Sequence, residues 1–289
     1  MALTATAFFS SPAEQISPRA EDEFFTSLKV RNRNFKQTGT GRLEALNDLI
    51  VNYLDRNSRQ VHEVLDVGIS SGITTLELYD RLVKSGCHPN VLGTDLVLNA
   101  EIVDVLPFCR ALIDDYGDVL QYEIFGKALR PWRRRLDYVT GMILVRGVVN
   151  RTCGTRARKL KTENAGPDRK RVALVSRRFS EQPCLRAVED DVMIQNPALT
   201  RRFDLVRVAN VLNKDYFDTA ALRTGLRHVA SYLSGPGALL LVARTGARSG
   251  HQATLFELQD DEQLRIVERI GAGSEIESVA LEISSSKVT

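Results

Sequence analysis

Val64-Leu65-Asp66-Val67-Gly68-Ile69-Ser70-Ser71-Gly72 is the stretch on which the fold turns. Val64, Leu65 and Val67 suit a strand buried on both faces, Gly68 and Gly72 permit a tight turn, and Thr74 to Val83 can form the helix that follows. A strand, a glycine turn and a helix in that order predict a ligand at the turn. The competing reading is a turn that needs glycine for its own backbone geometry alone.

Spacing narrows the ligand. A dinucleotide fingerprint needs glycines at relative positions one, three and six, and here those positions hold Gly68, Ser70 and Ile73. That argues against a nicotinamide-dependent oxidoreductase. An acid two residues before a glycine, then a small-residue turn ending in Gly72, resembles motif I of the class I S-adenosylmethionine-dependent methyltransferases. The resemblance implies S-adenosylmethionine as cofactor, with Asp66 near its amino end and Gly68, Ser70 and Gly72 against its amino-acid and ribose portions. A sulfonium cofactor without phosphates has no use for a pyrophosphate cradle and tolerates nearby acids.

Downstream, Val91 to Leu96 reads as a second strand ending in Asp95. Ligands of doubly wound sheets lie at the carboxyl ends of the strands, where a carboxylate such as Asp95, with Leu96 beside it, can accept both hydroxyls of a ribose. Leu185 to Val192 is the expected third parallel strand. The resemblance puts Asp191, or failing that Asp190, against an adenine amino group, and a turn aspartate is the plainer alternative. Phe203 to Asn213 resembles motif IV of the same family, with a weaker likeness to the chemotaxis protein-glutamate methyltransferases, although Arg207 and Asn210 are separated by Val208 and Ala209. Asn210 is expected to touch the cofactor's amino group, orient an acceptor or cap a turn.

These elements predict an α/β, Rossmann-like, doubly wound and mostly parallel sheet of about seven strands. The last strand is expected to be antiparallel, with a basic insertion between strands two and three. The expected organisation is a mobile leader over 1–20, helices over 21–60, and a methyltransferase-like domain over 61–289 interrupted by the insertion at 109–178. Arg31, Arg33 and Asn34 are candidates for the cofactor mouth, with solvated surface as the alternative. Ala220 to Leu233 reads as a helix and Ala238 to Ala243 as a buried strand. Ala253 to Leu258 and Glu277 to Ile283 read as strands around a helix from Asp260 to Arg269.

Charge is unevenly spread. The net charge of +3 hides a segment, Lys127 to Arg178, with sixteen basic residues against three acidic ones, in a chain otherwise carrying 23 basic and 33 acidic residues. Arg110 to Ile113 and Val119 to Phe125 suggest a hairpin opening the insertion. Pro131 could start a helix with Trp132, Leu136, Val139 and Ile143 on one face, and Arg151 to Arg171 reads as a mobile loop. Three partners compete for residues 131–171: an anionic membrane surface, nucleic acid, or the substrate pocket covered by a lid. The absence of any aromatic from Thr140 to Arg171 disfavours nucleic acid. A helix packed on the domain with a solvated loop after it is the plain alternative.

Four scattered cysteines and four histidines without metal-ligand spacing predict neither a disulfide framework nor a metal site, and suit a reducing compartment. With no secretory leader and no run of about 18 apolar residues, the expected location is the cytoplasm, peripheral to a membrane if the insertion binds one. The functional expectation is a methyltransferase (transferase) with an unknown acceptor and no assigned catalytic residue. The alternative is a non-catalytic Rossmann-like scaffold whose basic insertion binds a membrane or a partner.

Overall fold

The computed structural model describes residues 2–28, 39–132, 137–138, 140–163, 169–246 and 250–285. In chain order the first elements are α1 (Ala5–Ser10), α2 (Pro18–Ser27), α3 (Glu44–Arg56), β1 (Glu63–Val67), α4 (Ile73–Lys84) and β2 (Asn90–Asp95). Then come β3 (Asn99–Leu106), β4 (Cys109–Asp114), β5 (Val119–Ile124), β6 (Lys127–Leu129), α5 (Met142–Val149), α6 (Thr155–Thr162) and β7 (Arg169–Ala173). The rest are α7 (Arg177–Ser180), β8 (Leu185–Glu189), β9 (Leu205–Ala209), α8 (Thr219–Ser231), β10 (Leu239–Gly246), β11 (Gly250–Leu258), β12 (Leu264–Ile270) and α9 (Glu277–Ser285). The chain divides into two compact units, one of residues 1–39 and 97–177 and one of residues 40–96 and 178–289.

The second unit holds a seven-stranded sheet in the order β12-β11-β10-β9-β1-β2-β8. β8, β2, β1, β9 and β10 are parallel, while β11 runs antiparallel to both β10 and β12. The sheet is mixed, as expected, but its reversed strand is the penultimate one. Alternation along the strands divides the faces. Leu65, Val67, Val206 and Val208 pack with Leu222, Leu226 and Val229 of α8 and with Val279 and Ile283 of α9. Asp66 and Arg207 point to the other face, where α3 and α4 supply Asn47 and Thr75.

Two terminal elements exchange type relative to expectation. Asp260 to Arg269 is a hairpin turn entering β12, because Glu262 takes a left-handed φ of 60° and the β-branched Ile266, Val267 and Ile270 suit a strand. Glu277 to Ile283 is helical, because Val279, Ala280 and Ile283 recur at helical spacing and all three are buried.

The first unit is built on a five-stranded antiparallel sheet, β6-β5-β4-β3-β7. The expected hairpin is β4 paired with β5. Val172 to Ser176, expected in the parallel sheet, contributes instead to β7, which pairs antiparallel with β3. The unit takes in Asn99 to Leu106, upstream of the expected insertion at 109–178. Its core joins Val103, Ala111, Ile113 and Tyr122 to Cys153 and Ala157 of the helical segment.

The leader is a packed element here. Ser17 caps α2, Phe8 of α1 stacks on Phe24 at 4.1 Å, and the Ala5 N–H donates to buried Gln121 at 2.6 Å. Of Arg151 to Arg171, expected as loop, residues 151–162 are helical, in a π-helical turn at Asn150–Gly154 leading into α6. Pro131 and Trp132 lie in a bend, Asp137 and Tyr138 are helical, and a separate helix begins at Met142 after Gly141 at φ 70°. Arg133 to Leu136 and Val139 lie outside the described residues, as do Arg31, Arg33 and Asn34.

Candidate functional site

The carboxyl edge of the parallel strands gathers most of the residues singled out in the sequence. β1 is flanked by β2 on one side and β9 on the other, so the chain reverses its direction of travel across the sheet between β1 and β9. That reversal is the switch point at which open α/β sheets bind ligands. Three of the four connections leaving β1, β2, β8 and β9 at this edge carry an expected acid or amide.

The turn after β1 is pinned to β2. The Gly68 and Ile69 amides donate to the Thr94 carbonyl at 2.7 and 3.0 Å, and the Ser70 amide donates to the Asp95 carboxylate at 2.6 Å. Gly68, Ser70 and Gly72 all take left-handed φ, of 80°, 59° and 79°. A Cβ on Gly68 would sit 2.1 Å from Val211, and one on Gly72 would sit 2.7 Å from Phe179. Both glycines are therefore required by the protein's own packing as well as by backbone conformation.

Asp66 is committed elsewhere. Its Oδ1 accepts from Arg207 Nε at 2.9 Å, and its Oδ2 accepts from Arg207 Nη2 at 2.6 Å and from Thr75 Oγ1 at 2.6 Å. Arg207 also donates to Asn47 Oδ1 at 2.7 Å and to the Thr74 carbonyl at 3.0 Å. Both side chains are buried, so the pair is an interior strut linking β1, β9, α3 and α4. A signal for it was present in the sequence: one arginine inside Leu205-Val206-Arg207-Val208-Ala209 requires a buried acid partner, and Asp66 interrupts an equally apolar strand.

Asp95 and Leu96 are half-buried at the end of β2. Asp191 is a turn residue, its carboxylate accepting from the Met193 amide at 2.9 Å, and Asp190 accepts from the Asn196 side chain at 2.8 Å. Asn210 leaves β9 at φ 64° and its side-chain oxygen accepts from the Thr245 amide at 2.6 Å, which ties the exit of β9 to the end of β10. Beside it, Arg244 pairs with Glu275 at 2.6 Å and with Asp215, and the Glu275 contact first of all raises the guanidinium above its ordinary value.

No family model matches this chain, and no curated protein does. Among solved structures the chain is similar to the N-methyltransferase NodS from Bradyrhizobium japonicum WM9, in complex with S-adenosyl-L-homocysteine. The identity is 13%, covering 77% of this chain and 72% of that one, with a TM-score of 0.34. It is similar to CalS10, a SAM-bound amino pentose methyltransferase from Micromonospora echinaspora, at 11% identity over 86% and 84% of the two chains, TM-score 0.36. A protein-L-isoaspartate O-methyltransferase from Plasmodium falciparum matches at 10% identity over 78% and 69%, TM-score 0.33. Likenesses this distant carry no argument about the chemistry of this chain.

Proposed function

We propose that this chain is an S-adenosylmethionine-dependent methyltransferase whose acceptor is unassigned. The observation that carries the reading is the strand order β8-β2-β1-β9-β10, with a glycine turn after β1 and a half-buried carboxylate, Asp95, at the end of β2, bonded to that turn. The fit to the cofactor is uneven. Asp95, with Leu96 beside it, suits a ribose diol through its carboxylate, and the left-handed turn from Gly68 to Gly72 suits close backbone approach. Asp66 does not suit the cofactor's amino end, because Arg207 and Thr75 occupy both of its oxygens.

On this reading the turn and Asp95 hold the cofactor, and Asp191 and Asn210 line the neighbouring strand exits. When bound, the cofactor supplies an electrophilic methyl group. The chain's contribution is to bind and align it with an acceptor, which is where most of the acceleration in such a displacement arises.

One observation favours a second reading, a Rossmann-like binding protein without catalysis: the motif I acid is locked in a structural ion pair. Incubation with methyl-labelled S-adenosylmethionine and fractionated cellular acceptors separates the two. Transfer of label that is lost in Asp95→Ala supports the enzyme. Cofactor binding without transfer to any fraction supports the binding protein.

A further inference from the structure

The α5 helix is built inside out. Its sequence, Met142-Ile143-Leu144-Val145-Arg146-Gly147-Val148-Val149, carries one charged residue, and that residue is the buried one, while Met142, Ile143 and Val149 are half-buried. Arg146 is 9% exposed and pairs with Asp137, itself 5% exposed, through Nε to Oδ2 at 2.9 Å and Nη2 to Oδ1 at 3.2 Å. It also donates to the Arg130 carbonyl. Leu144 and Val148, meanwhile, are 75% and 63% exposed, and Val145 is exposed beside them.

A helix free to choose would bury the aliphatic residues and solvate the arginine. Rolling α5 to do so would break a buried ion pair and strand Asp137 without its partner, which is strongly unfavourable. The Arg146–Asp137 pair thus holds the apolar face outward.

What that face meets is indicated by the charge that follows it. Residues 142–162 are helical throughout, through the π turn and into α6, and contain no acidic residue. Cys153 and Ala157 are buried in the core of their unit, while Arg151 and Arg156 are exposed and meet no acid among the described residues. An aliphatic patch followed by exposed arginines on the same rod matches an anionic bilayer, with acyl chains for the first and headgroups for the second.

We propose that Leu144, Val145 and Val148, with Arg151 and Arg156, form a docking surface for an anionic lipid membrane. Because the patch is short, attachment is peripheral; among the described residues no helix is long and apolar enough to cross a membrane. The proposal is independent of the methyltransferase reading, since it uses none of the residues at the carboxyl edge of the parallel sheet.

The test is co-sedimentation of the full chain with vesicles of phosphatidylcholine and phosphatidylserine, and with vesicles of phosphatidylcholine alone. The expected result is binding to the anionic vesicles only, weakened by salt, and weakened about tenfold or more in Leu144→Asp/Val148→Asp. Arg151→Glu/Arg156→Glu is expected to lose binding and its salt dependence together. Should the double aspartate variant fail to fold, Leu144→Asp alone serves, with its melting curve as control. Absence of wild-type binding at low salt, or unchanged binding of the aspartate variant, overturns the proposal. So does a lipid-free dimer that Leu144→Asp dissociates while vesicles bind nothing, since the patch would then be a self-association face.

Discussion

Arg207 and Asp66 face each other in register on adjacent parallel strands, and their side chains meet through two hydrogen bonds on the buried face of the sheet. Arg207→Met leaves Asp66 buried without its counter-charge and is expected to lower unfolding free energy by about 3–5 kcal/mol. Asp66→Leu/Arg207→Met together should lose much less than either single change. Urea unfolding of the three variants checks this, and additive losses would show that the residues are not coupled.

Gly68→Ala introduces a side chain at φ 80° whose Cβ collides with Val211. A loss of stability is expected, partly restored by Val211→Ala, with a coupling of about 0.5–3 kcal/mol between the two sites. The same substitutions would behave independently if the glycine only cleared space for a ligand.

The parallel half of the sheet was legible because its signals are local. Apolar runs bounded by glycine and polar turns marked β1, β2, β8, β9 and β10, and Asp95 lies where the strand-end rule put it. What was not legible depends on distant partners. Asp66 and Arg207 each stand out in an apolar strand, but only the fold pairs them across 141 residues. Asp260 to Arg269 carries spacing compatible with helix or strand, and pairing with β11 decides for strand. The leader over 1–20 looked mobile because it is rich in Ala, Ser, Thr and Pro with no sustained period, yet its Phe8 packs on Phe24 and Phe25 once folded.

That cluster gives a third prediction. Phe8 is fully buried and stacks on Phe24, so Phe8→Ala should cost about 3–5 kcal/mol. Limited proteolysis of the variant should open the unit of residues 1–39 and 97–177 first. Unchanged protection would mean that the amino-terminal helix adds nothing to that unit.

A pH dependence follows from one buried thiol of the same unit. Burial, with the Cys153 hydrogen bond second, pushes the Cys109 thiol up to about 12 from an ordinary 9.0. Below the ordinary value both states keep the proton and the stabilisation is whole. As pH rises from there towards the folded value, the unfolded chain alone releases the proton and stability falls. Melting temperature should therefore decline across this alkaline range, and Cys109→Ala should reduce the slope. An unchanged slope would place the effect on other groups, Tyr122 foremost, whose hydroxyl burial also raises to about 12.

Calorimetric titration of the full chain asks whether the turn after β1 and Asp95 bind S-adenosylmethionine. Asp95→Asn can still accept the Ser70 amide while losing its charge, so it isolates the carboxylate's part. One-to-one binding of S-adenosylmethionine and of its demethylated product is expected. Asp95→Asn should weaken binding by roughly 1.5–3 kcal/mol, and Asp190→Ala should change it little. No heat with either ligand, or equal affinity in Asp95→Asn and the unaltered chain, would contradict binding at that site.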